Sequence, residues 1–360
     1  MIDTSIKLFE KCFGEKPLIS SFARGRVNLI GDHTDYNFGF VMPTPLSLGI
    51  EVSLTPSETG LIEGKSEIFR EFKRPIHLRT DGTWLDFVKG AIDIFYDEFP
   101  KITKNLSKGI KLAIKSNLPH GSGLSSSAAL GIALLKAINK LENQKMNKIK
   151  LAKLAQKIEH EFIGTKCGLM DQMVASSGIK NKAMFFDVKI EKIENLALFE
   201  NYKFLVVHSG SHRKLSNSMY NERKTECDNA SRILKIKNLR EADEQMLNNL
   251  SGKLLKRAKH VISENERVKV CRYALHSQNA KLFGEKMYES HKSLSEEYEV
   301  SSEILDKIID KSKSLNLLGA RLTGAGFGGC CVLLVDKGKS KETFKALSYY
   351  FPSLSLVDII

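Results

Sequence analysis

A loop of glycines and serines at residues 119–129, Pro-His-Gly-Ser-Gly-Leu-Ser-Ser-Ser-Ala-Ala, carries the strongest chemical signal in the sequence. A strand is predicted before it at 109–114, and a long apolar helix after it at Ser126–Leu141. Glycines let the backbone approach a ligand closely. Serines at the start of a helix can cap N–H groups, which together with the helix dipole attract anions. The loop therefore predicts phosphate binding, although a capped helix after a flexible turn would use the same residues.

The loop differs from the two best-known phosphate-binding sequences. No Gly-Lys-Ser/Thr ends it, so it is not a Walker A loop. Ser126 stands where a dinucleotide-binding fingerprint needs its third glycine.

A second polar cluster lies at residues 25–37, Gly-Arg-Val-Asn-Leu-Ile-Gly-Asp-His-Thr-Asp-Tyr-Asn. Its two carboxylates and one histidine could bind several sugar hydroxyls at once. Arg26 is permanently charged and could steady a phosphate during transfer. A polar turn whose Asp and Asn side chains bond only their own backbone would look similar.

A third motif, Leu-Thr-Gly-Ala-Gly-Phe-Gly-Gly-Cys, spans residues 322–330. Four glycines in six residues indicate either a backbone that a ligand approaches closely or a tight hairpin. The motif by itself does not separate these two possibilities.

The elements that hold these motifs are a mixture of helices and strands. Helices are predicted at 5–13, 84–96, 126–141 and 147–162 and through most of 241–315, and strands at 20–28, 47–54, 109–114, 183–187, 203–208, 320–323 and 330–335. The length of 360 residues suggests two domains, and we place their boundary near residue 178.

Composition narrows the function classes. The 42% apolar and 27% charged residues exclude a disordered or collagen-like chain. No apolar run reaches membrane-helix length, and the N-terminus lacks a secretory signal, so we expect a cytoplasmic protein without a membrane partner. None of the six cysteines forms a Cys-x-x-Cys pair, which disfavours zinc and suits a reducing compartment.

The net charge of +13 favours an anionic partner. Its lysines are spread along helical segments with few interleaved aromatic residues, which disfavours nucleic acid. A nucleotide substrate would suit the same charge. The sequence indicates no obligate protein partner.

Residues 25–37 resemble the signature of galactokinases. The serine loop and the glycine turn resemble the other two motifs of the GHMP kinase superfamily. The resemblance implies an α+β fold of two domains, with the active site in the cleft between them. The N-terminal domain (1–178) is a mixed-sheet α/β unit, and the C-terminal domain (179–360) is ferredoxin-like. The implied reaction converts ATP and galactose to galactose 1-phosphate and ADP.

The resemblance also implies roles for individual residues. Ser127 and Glu159 match ligands of Mg²⁺. Asp171 matches the carboxylate beside the sugar's C1 hydroxyl, and Arg26 the cation facing it, so both are candidate catalytic residues. The carboxylate could accept the hydroxyl proton, but a nearby arginine would weaken it as a base.

The remaining implied positions hold the two substrates. The sugar-binding set comprises Arg26, Asp32, His33, Asp35, Gly168, Asp171 and Tyr220. The ATP-binding set comprises Trp84, Gly121, Ser122, Gly123, Leu124, Ser125, Ser126 and Ser127. Two histidines beside these motifs, His120 and His160, match no chemical role.

One departure bears on the substrate. Asp32 stands where galactokinases usually have Glu, which shortens its reach by about one C–C bond length, ~1.5 Å. The sequence therefore leaves open a kinase for another galactose-like sugar, such as N-acetylgalactosamine. A non-catalytic sugar and ATP sensor is a further alternative, against which Arg26, Ser127, Glu159 and Asp171 are all intact.

Overall fold

A computed structural model describes residues 4–67, 70–119, 121–211 and 216–360. His120 of the serine loop lies outside these ranges. The chain forms two compact units. The first unit is Met1–Gly25, Ser47–Leu118 and Ser125–Ser177, and the second is Arg26–Leu46, Pro119–Leu124 and Gly178–Ile360.

Helices and strands are mixed along the described chain, in runs of several of one kind. The helices are α1 (Ser5–Phe13), α2 (Leu85–Glu98), α3 (Ser126–Leu141), α4 (Lys148–Ile158), α5 (Met170–Ser177), α6 (Ser216–Ile233), α7 (Gly252–His276), α8 (Ala280–Glu296), α9 (Glu303–Ser314) and α10 (Ser340–Tyr350). The strands are β1 (Ile19–Asn28), β2 (Phe40–Val41), β3 (Pro43–Pro56), β4 (Leu61–Ser66), β5 (Arg70–Pro75), β6 (Ile110–Ser116), β7 (Lys182–Asp187), β8 (Lys192–Ala197), β9 (Tyr202–His208), β10 (Gly319–Leu322), β11 (Cys330–Asp336) and β12 (Ser355–Ile359).

A mixed five-stranded sheet, in the order β1-β3-β6-β4-β5, belongs largely to the first unit. Strand β4 runs parallel to β6, whereas β3 pairs antiparallel with β6 and β5 antiparallel with β4. Helices α2, α4 and α5 pack around α3. Ten residues of α3 are buried because its sequence is apolar on nearly every side.

Helix α1 shows how local sequence sets the bounds of an element. The Thr4 side chain accepts a hydrogen bond from the Lys7 N–H and so caps the first turn. Gly14 ends the helix at a φ of 70°, a left-handed conformation that glycine adopts without steric cost. Leu8 and Phe9 then pack against Ala113 of β6.

The second unit contains a four-stranded antiparallel sheet in the order β10-β11-β9-β12. Along the chain, β9 is followed by helices, the hairpin of β10 and β11, helix α10 and finally β12. This β-α-β-β-α-β order is ferredoxin-like and confirms the fold class predicted for the C-terminal part. The predicted strands 203–208, 320–323 and 330–335 correspond to β9, β10 and β11.

A smaller antiparallel sheet, β2-β7-β8, lies against α7 in the same unit. Cys330 and Cys331, at the start of β11, are fully buried in an apolar run of the sequence. The six cysteines, which all lie in the described ranges, are outside disulfide bonds. Within the described ranges, none of the helices has the length and apolar character needed to cross a bilayer.

Candidate active site

Arg26 joins the first motif to the serine loop within the second unit. It lies near the end of β1 and is only 4% exposed. Its Nη1 donates a hydrogen bond of 2.7 Å to the carbonyl oxygen of Gly123. Its backbone N–H also donates to the carbonyl of Leu124, at 3.2 Å. Two motifs 97 residues apart are therefore in direct contact, with a permanent positive charge between them.

The third motif also bonds to the first. The Asn28 N–H donates to Thr323 Oγ1, and that hydroxyl donates back to the Asn28 carbonyl, both at 2.9 Å. Residues 323–329 form the turn between β10 and β11, so the glycine-rich segment is a hairpin. A Cβ on Gly326 would lie 2.1 Å from the Val300 carbonyl oxygen, so close packing requires this glycine.

Asp32 makes a third contact between these motifs. Its carboxylate is almost fully buried and pairs through Oδ2 with Arg321 Nη2 of β10. Its Oδ1 accepts the Gly324 N–H at 3.0 Å. Burial raises the pKa of Asp32, and the charges of Arg321 and Arg26 only partly oppose this. A carboxylate has about four acceptor positions, so room remains for a sugar hydroxyl.

Glu264 of α7 extends this group of buried charges. Its Oε1 accepts the Gly31 N–H at 2.9 Å and lies 3.9 Å from Arg321. Its Oε2 accepts from Arg267 Nε at 2.6 Å. Burial opposes ionisation, but the Arg267 and Arg321 guanidinium groups lower the pKa of Glu264 to about 2. The network holds the sugar signature against α7 and β10.

His33 lies among tyrosines in the second unit. Its ring is 5.7 Å from Tyr220 and 4.7 Å from Tyr298, measured between centroids. Its Nδ1 is 2.8 Å from Tyr36 Oη. His33 has a φ of 64°, and the Asn37 side chain fixes this turn by donating to the His33 carbonyl at 3.0 Å.

Asp35, a buried residue in the same turn, accepts the N–H of Tyr36 at 2.9 Å. The second unit thus holds five predicted sugar-binding residues: Arg26, Asp32, His33, Asp35 and Tyr220. It also holds the first four residues predicted to bind ATP from the loop, Gly121, Ser122, Gly123 and Leu124. The Ser122 hydroxyl donates to the Pro119 carbonyl at 2.7 Å.

The three serines lie at the start of α3 in the first unit. Ser125 occupies the N-cap position at a φ of 60°, Ser126 is exposed and Ser127 is partly buried. The expectation that serines cap this helix is wrong for Ser125, whose side chain makes no capping bond. The physical reason is that a capping side chain needs an extended backbone at the N-cap. Its Oγ is buried and has no hydrogen-bond partner among the described residues.

Glu159 lies where α4 passes into a short π-helical turn, Glu159–Ile163. Such turns are rare and often occur at functional sites. The carboxylate is 5% exposed and accepts a hydrogen bond of 2.7 Å from Gln172 Nε2 of α5. Asp171 is the neighbour of Gln172 in the first turn of α5, where the helix dipole stabilises a carboxylate. Gly168, just before α5, is buried.

Trp84 lies at the N-cap of α2 and packs edge-on against Phe72, with 4.6 Å between ring centroids. It shares the first unit with Ser125, Ser126, Ser127, Glu159, Gly168 and Asp171. The structure therefore places the predicted site residues in two sets, each within one unit.

In the described part of the chain, no group of three or more His, Cys, Asp or Glu side chains could hold a metal ion. Mg²⁺ does not need such a group, because it takes oxygen ligands and usually keeps phosphate and water among them. Glu159 and Ser127 are oxygen donors of this type. The Gln172 Oε1 beside Glu159 is buried without a partner among the described residues, so this site has an acceptor that a bound group could use.

Four residues that support the site are not among the residues predicted from the sequence: Arg321, Glu264, Tyr298 and Gln172. Arg321 had a usable signal, since it is a lone charge in a predicted apolar strand. Glu264 and Tyr298 had none, because helical segments rich in charged and aromatic residues usually face water or the core.

Three protein-family profiles match the chain. GHMP kinases N terminal domain matches residues 86–178, Galactokinase galactose-binding signature residues 7–56, and GHMP kinases C terminal residues 271–353. The first and second of these cover the predicted phosphate loop and sugar signature.

Curated proteins and solved structures are also similar to this chain over most of its length. Galactokinase from Clostridium perfringens is 35% identical over 96% of this chain and 92% of that protein. Galactokinase from Thermotoga maritima is 38% identical over 88% and 89%. The structure of Lactococcus lactis galactokinase complexed with galactose is 30% identical, with a TM-score of 0.90, and covers 98% of this chain and 97% of that one. Methanococcus jannaschii mevalonate kinase, 21% identical over 95% and 96% with a TM-score of 0.69, shares the fold.

Proposed function

The chain belongs to the galactokinase family of GHMP kinases, and on that premise we propose that it transfers the γ-phosphoryl group of ATP to the C1 hydroxyl of galactose. The products are galactose 1-phosphate and ADP. The observation that carries the proposal is the meeting, in the second unit, of the sugar signature, the glycine-containing part of the phosphate loop and the glycine-rich hairpin through Arg26, Asn28 and Asp32. A kinase for another sugar and a non-catalytic sensor are not favoured, because the relatives are galactokinases.

In this proposal Arg26 stabilises the charge that develops on the transferring phosphoryl group. Its contacts with Gly123 and Leu124 hold the guanidinium against the predicted phosphate loop, so little reorganisation is needed during the reaction. Phosphoryl transfer has a loose transition state, which makes such electrostatic positioning the main contribution of the protein.

Asp171 orients the C1 hydroxyl for attack on the γ-phosphorus. As the new O–P bond forms and the bond to the ADP oxygen breaks, the hydroxyl proton passes to the Asp171 carboxylate and then to water. The position of Asp171 in the first turn of α5 supports a charged carboxylate that accepts this proton late.

Mg²⁺ would be held by the Ser127 hydroxyl and the Glu159 carboxylate. When bound, it neutralises phosphate charge. Gln172 fixes the Glu159 carboxylate by its hydrogen bond and so supports this role. Residues 121–127 contact the phosphates, with the exposed start of α3 contributing backbone N–H groups, and Trp84 packs on the adenine.

His33, Asp35 and Tyr220 hold sugar hydroxyls together with Asp32, and Gly168 lets the backbone lie close to the sugar. The buried pairing of Asp32 with Arg321 fixes the position of the carboxylate. We retain the division into domains at residue 178 and the cytoplasmic location as parts of the proposal.

The test is ADP release by the purified protein with and without Mg²⁺. The sugar panel is galactose, 2-deoxygalactose, galactosamine, N-acetylgalactosamine and glucose. We expect Mg²⁺-dependent turnover of galactose, reduced by about 10²- to 10⁴-fold in Asp171→Asn because the proton acceptor is lost. Glu303→Gln is the matched control, since Glu303 is also a first-turn carboxylate but is exposed on α9.

Turnover of N-acetylgalactosamine alone would move the substrate and make Asp32 the first residue to examine. Binding of ATP and galactose without turnover would overturn the kinase proposal in favour of a sensor.

A further inference from the structure

A chain of hydrogen bonds runs from a buried cysteine to His33. Cys227 Sγ of α6 lies 3.1 Å from Tyr298 Oη, which lies 2.7 Å from Tyr36 Oη. Tyr36 Oη in turn lies 2.8 Å from His33 Nδ1. All four side chains belong to the second unit and are at most 5% exposed. The reaction described above uses only the last of them.

The protons of this series of hydrogen bonds can point in either of two directions, and the acceptor at each end decides between them. At one end the acceptor would be a thiol sulfur, which accepts weakly, and at the other an imidazole nitrogen, which accepts well. The order that ends on the imidazole is therefore favoured, and it directs the thiol proton to Tyr298.

The hydroxyl protons then follow in order. Tyr298 donates to Tyr36, and Tyr36 donates to Nδ1 of His33. Burial raises the pKa of Tyr36 and Tyr298 well above the usual value, and it raises the pKa of Cys227 to about 11. All three groups keep their protons at neutral pH and can act as donors.

We propose that Tyr36, Tyr298 and Cys227 are positioning residues that hold His33 in the tautomer with its proton on Nε2, so that His33 donates a hydrogen bond to the sugar. A ring nitrogen that accepts a hydrogen bond leaves the proton on the other nitrogen. Asn37 completes the arrangement, because its amide donates to the His33 carbonyl. The identity of the sugar in this inference rests on the proposed function, whereas the tautomer of the His33 ring does not.

The first experiment reads the tautomer without any substrate. Long-range proton–nitrogen correlation spectra distinguish the two ring nitrogens, and a His33→Gln spectrum assigns His33 among the nine histidines. We expect Nε2 to carry the proton in the unaltered protein. Tyr36→Phe removes the donor to Nδ1, so the spectrum should show a mixture of tautomers.

The second experiment measures KM for both substrates. In Tyr36→Phe we expect the KM for galactose to rise about tenfold, the value of one hydrogen bond, while the KM for ATP stays unchanged. Tyr288→Phe is the matched control, because that hydroxyl in the same unit bonds only the Leu317 carbonyl. It should change neither KM nor the His33 spectrum.

Cys227 separates positioning from packing. Cys227→Ser retains a donor and should keep the tautomer and the galactose KM, whereas Cys227→Ala breaks the chain and should shift both. A thermal melt of each variant identifies those that fail to fold.

An Nδ1 proton in the unaltered protein, or a Tyr36→Phe ring indistinguishable from it, would overturn the inference. Failure of the proposed function would look different. Galactose turnover would then be missing in the unaltered protein, while the tautomer could still be read.

Discussion

The sugar signature in the second unit and the first turns of α3 and α5 in the first unit differ in how their polar groups are bonded. In the signature, the Asp32 carboxylate bonds Arg321 and Gly324, and the Arg26 guanidinium bonds the Gly123 carbonyl. At the start of α3, the buried Ser125 Oγ has no partner among the described residues, and Gln172 Oε1 is in the same situation. The charged groups of the signature are bonded by the protein, whereas Ser125 and Gln172 each keep a buried polar atom available to a ligand.

This difference separates positioning from binding. A buried charge that loses its partner costs several kcal/mol, so substitutions in the signature should reduce stability as well as activity. A buried hydroxyl without a partner does not stabilise the fold, so removing it should not lower stability and should weaken only the binding of the ligand that it meets. The predictions below test this contrast.

Asp32→Asn should show the largest effect. The substitution leaves the buried Arg321 without its main counter-charge, so we expect the free energy of unfolding to fall by about 3–5 kcal/mol. Denaturant unfolding measures the loss. The control Glu303→Gln removes an exposed partner of Lys307 and should leave the free energy of unfolding nearly unchanged.

Asp32→Glu keeps the charge, so its loss of unfolding free energy should lie between those of Asp32→Asn and Glu303→Gln. A loss below about 1 kcal/mol in Asp32→Asn would mean that the buried pair does not stabilise the signature.

Acid should destabilise the second unit through His260 of α7. Burial lowers the pKa of His260 to about 4, so the folded state resists a proton that the unfolded chain takes up near pH 6.5. Stability from this group is therefore complete above pH 6.5 and is lost as the pH falls toward 4, by about 3 kcal/mol in total.

Two probes separate the units during this titration. The single tryptophan, Trp84, reports the first unit by its fluorescence, and amide hydrogen exchange in α7 reports the second. His260→Gln should flatten the decline between pH 6.5 and 4, whereas the exposed His276→Gln should leave it unchanged. If stability declines with pH equally in both variants, His260 is not the cause of the decline.

Ser125→Ala should show the smallest effect on stability, with a change below about 0.5 kcal/mol, because no protein hydrogen bond is lost. The KM for ATP should rise if the hydroxyl meets a phosphate. Ser5→Ala is the comparison in the same unit. It leaves the buried Ser53 hydroxyl unpaired and should cost about 1–2 kcal/mol. If both variants cost the same, Ser125 has a protein partner after all.

Local signals were sufficient for most elements. The apolar pattern predicted Ser126–Leu141 with its observed bounds, and β9, β10 and β11 matched the predicted strands within about two residues. The strands β2, β4, β5, β8 and β12 were missed, because β2 has only two residues and charged residues interrupt the apolar pattern of the others. The serine loop was recognised, but the left-handed backbone of Ser125 was not, since serine rarely adopts it.

The sequence by itself determined the three motifs, their order, the family and the residue types able to do the chemistry. Spacing along a chain carries no information about which charges meet across 289 residues, as Asp32 and Arg321 do. Only the tertiary structure decided that Asp32 is buried against Arg321 and that His33 ends a chain of hydroxyls. Both facts depend on which side chains burial brings within hydrogen-bond distance, and burial is a property of the packed molecule.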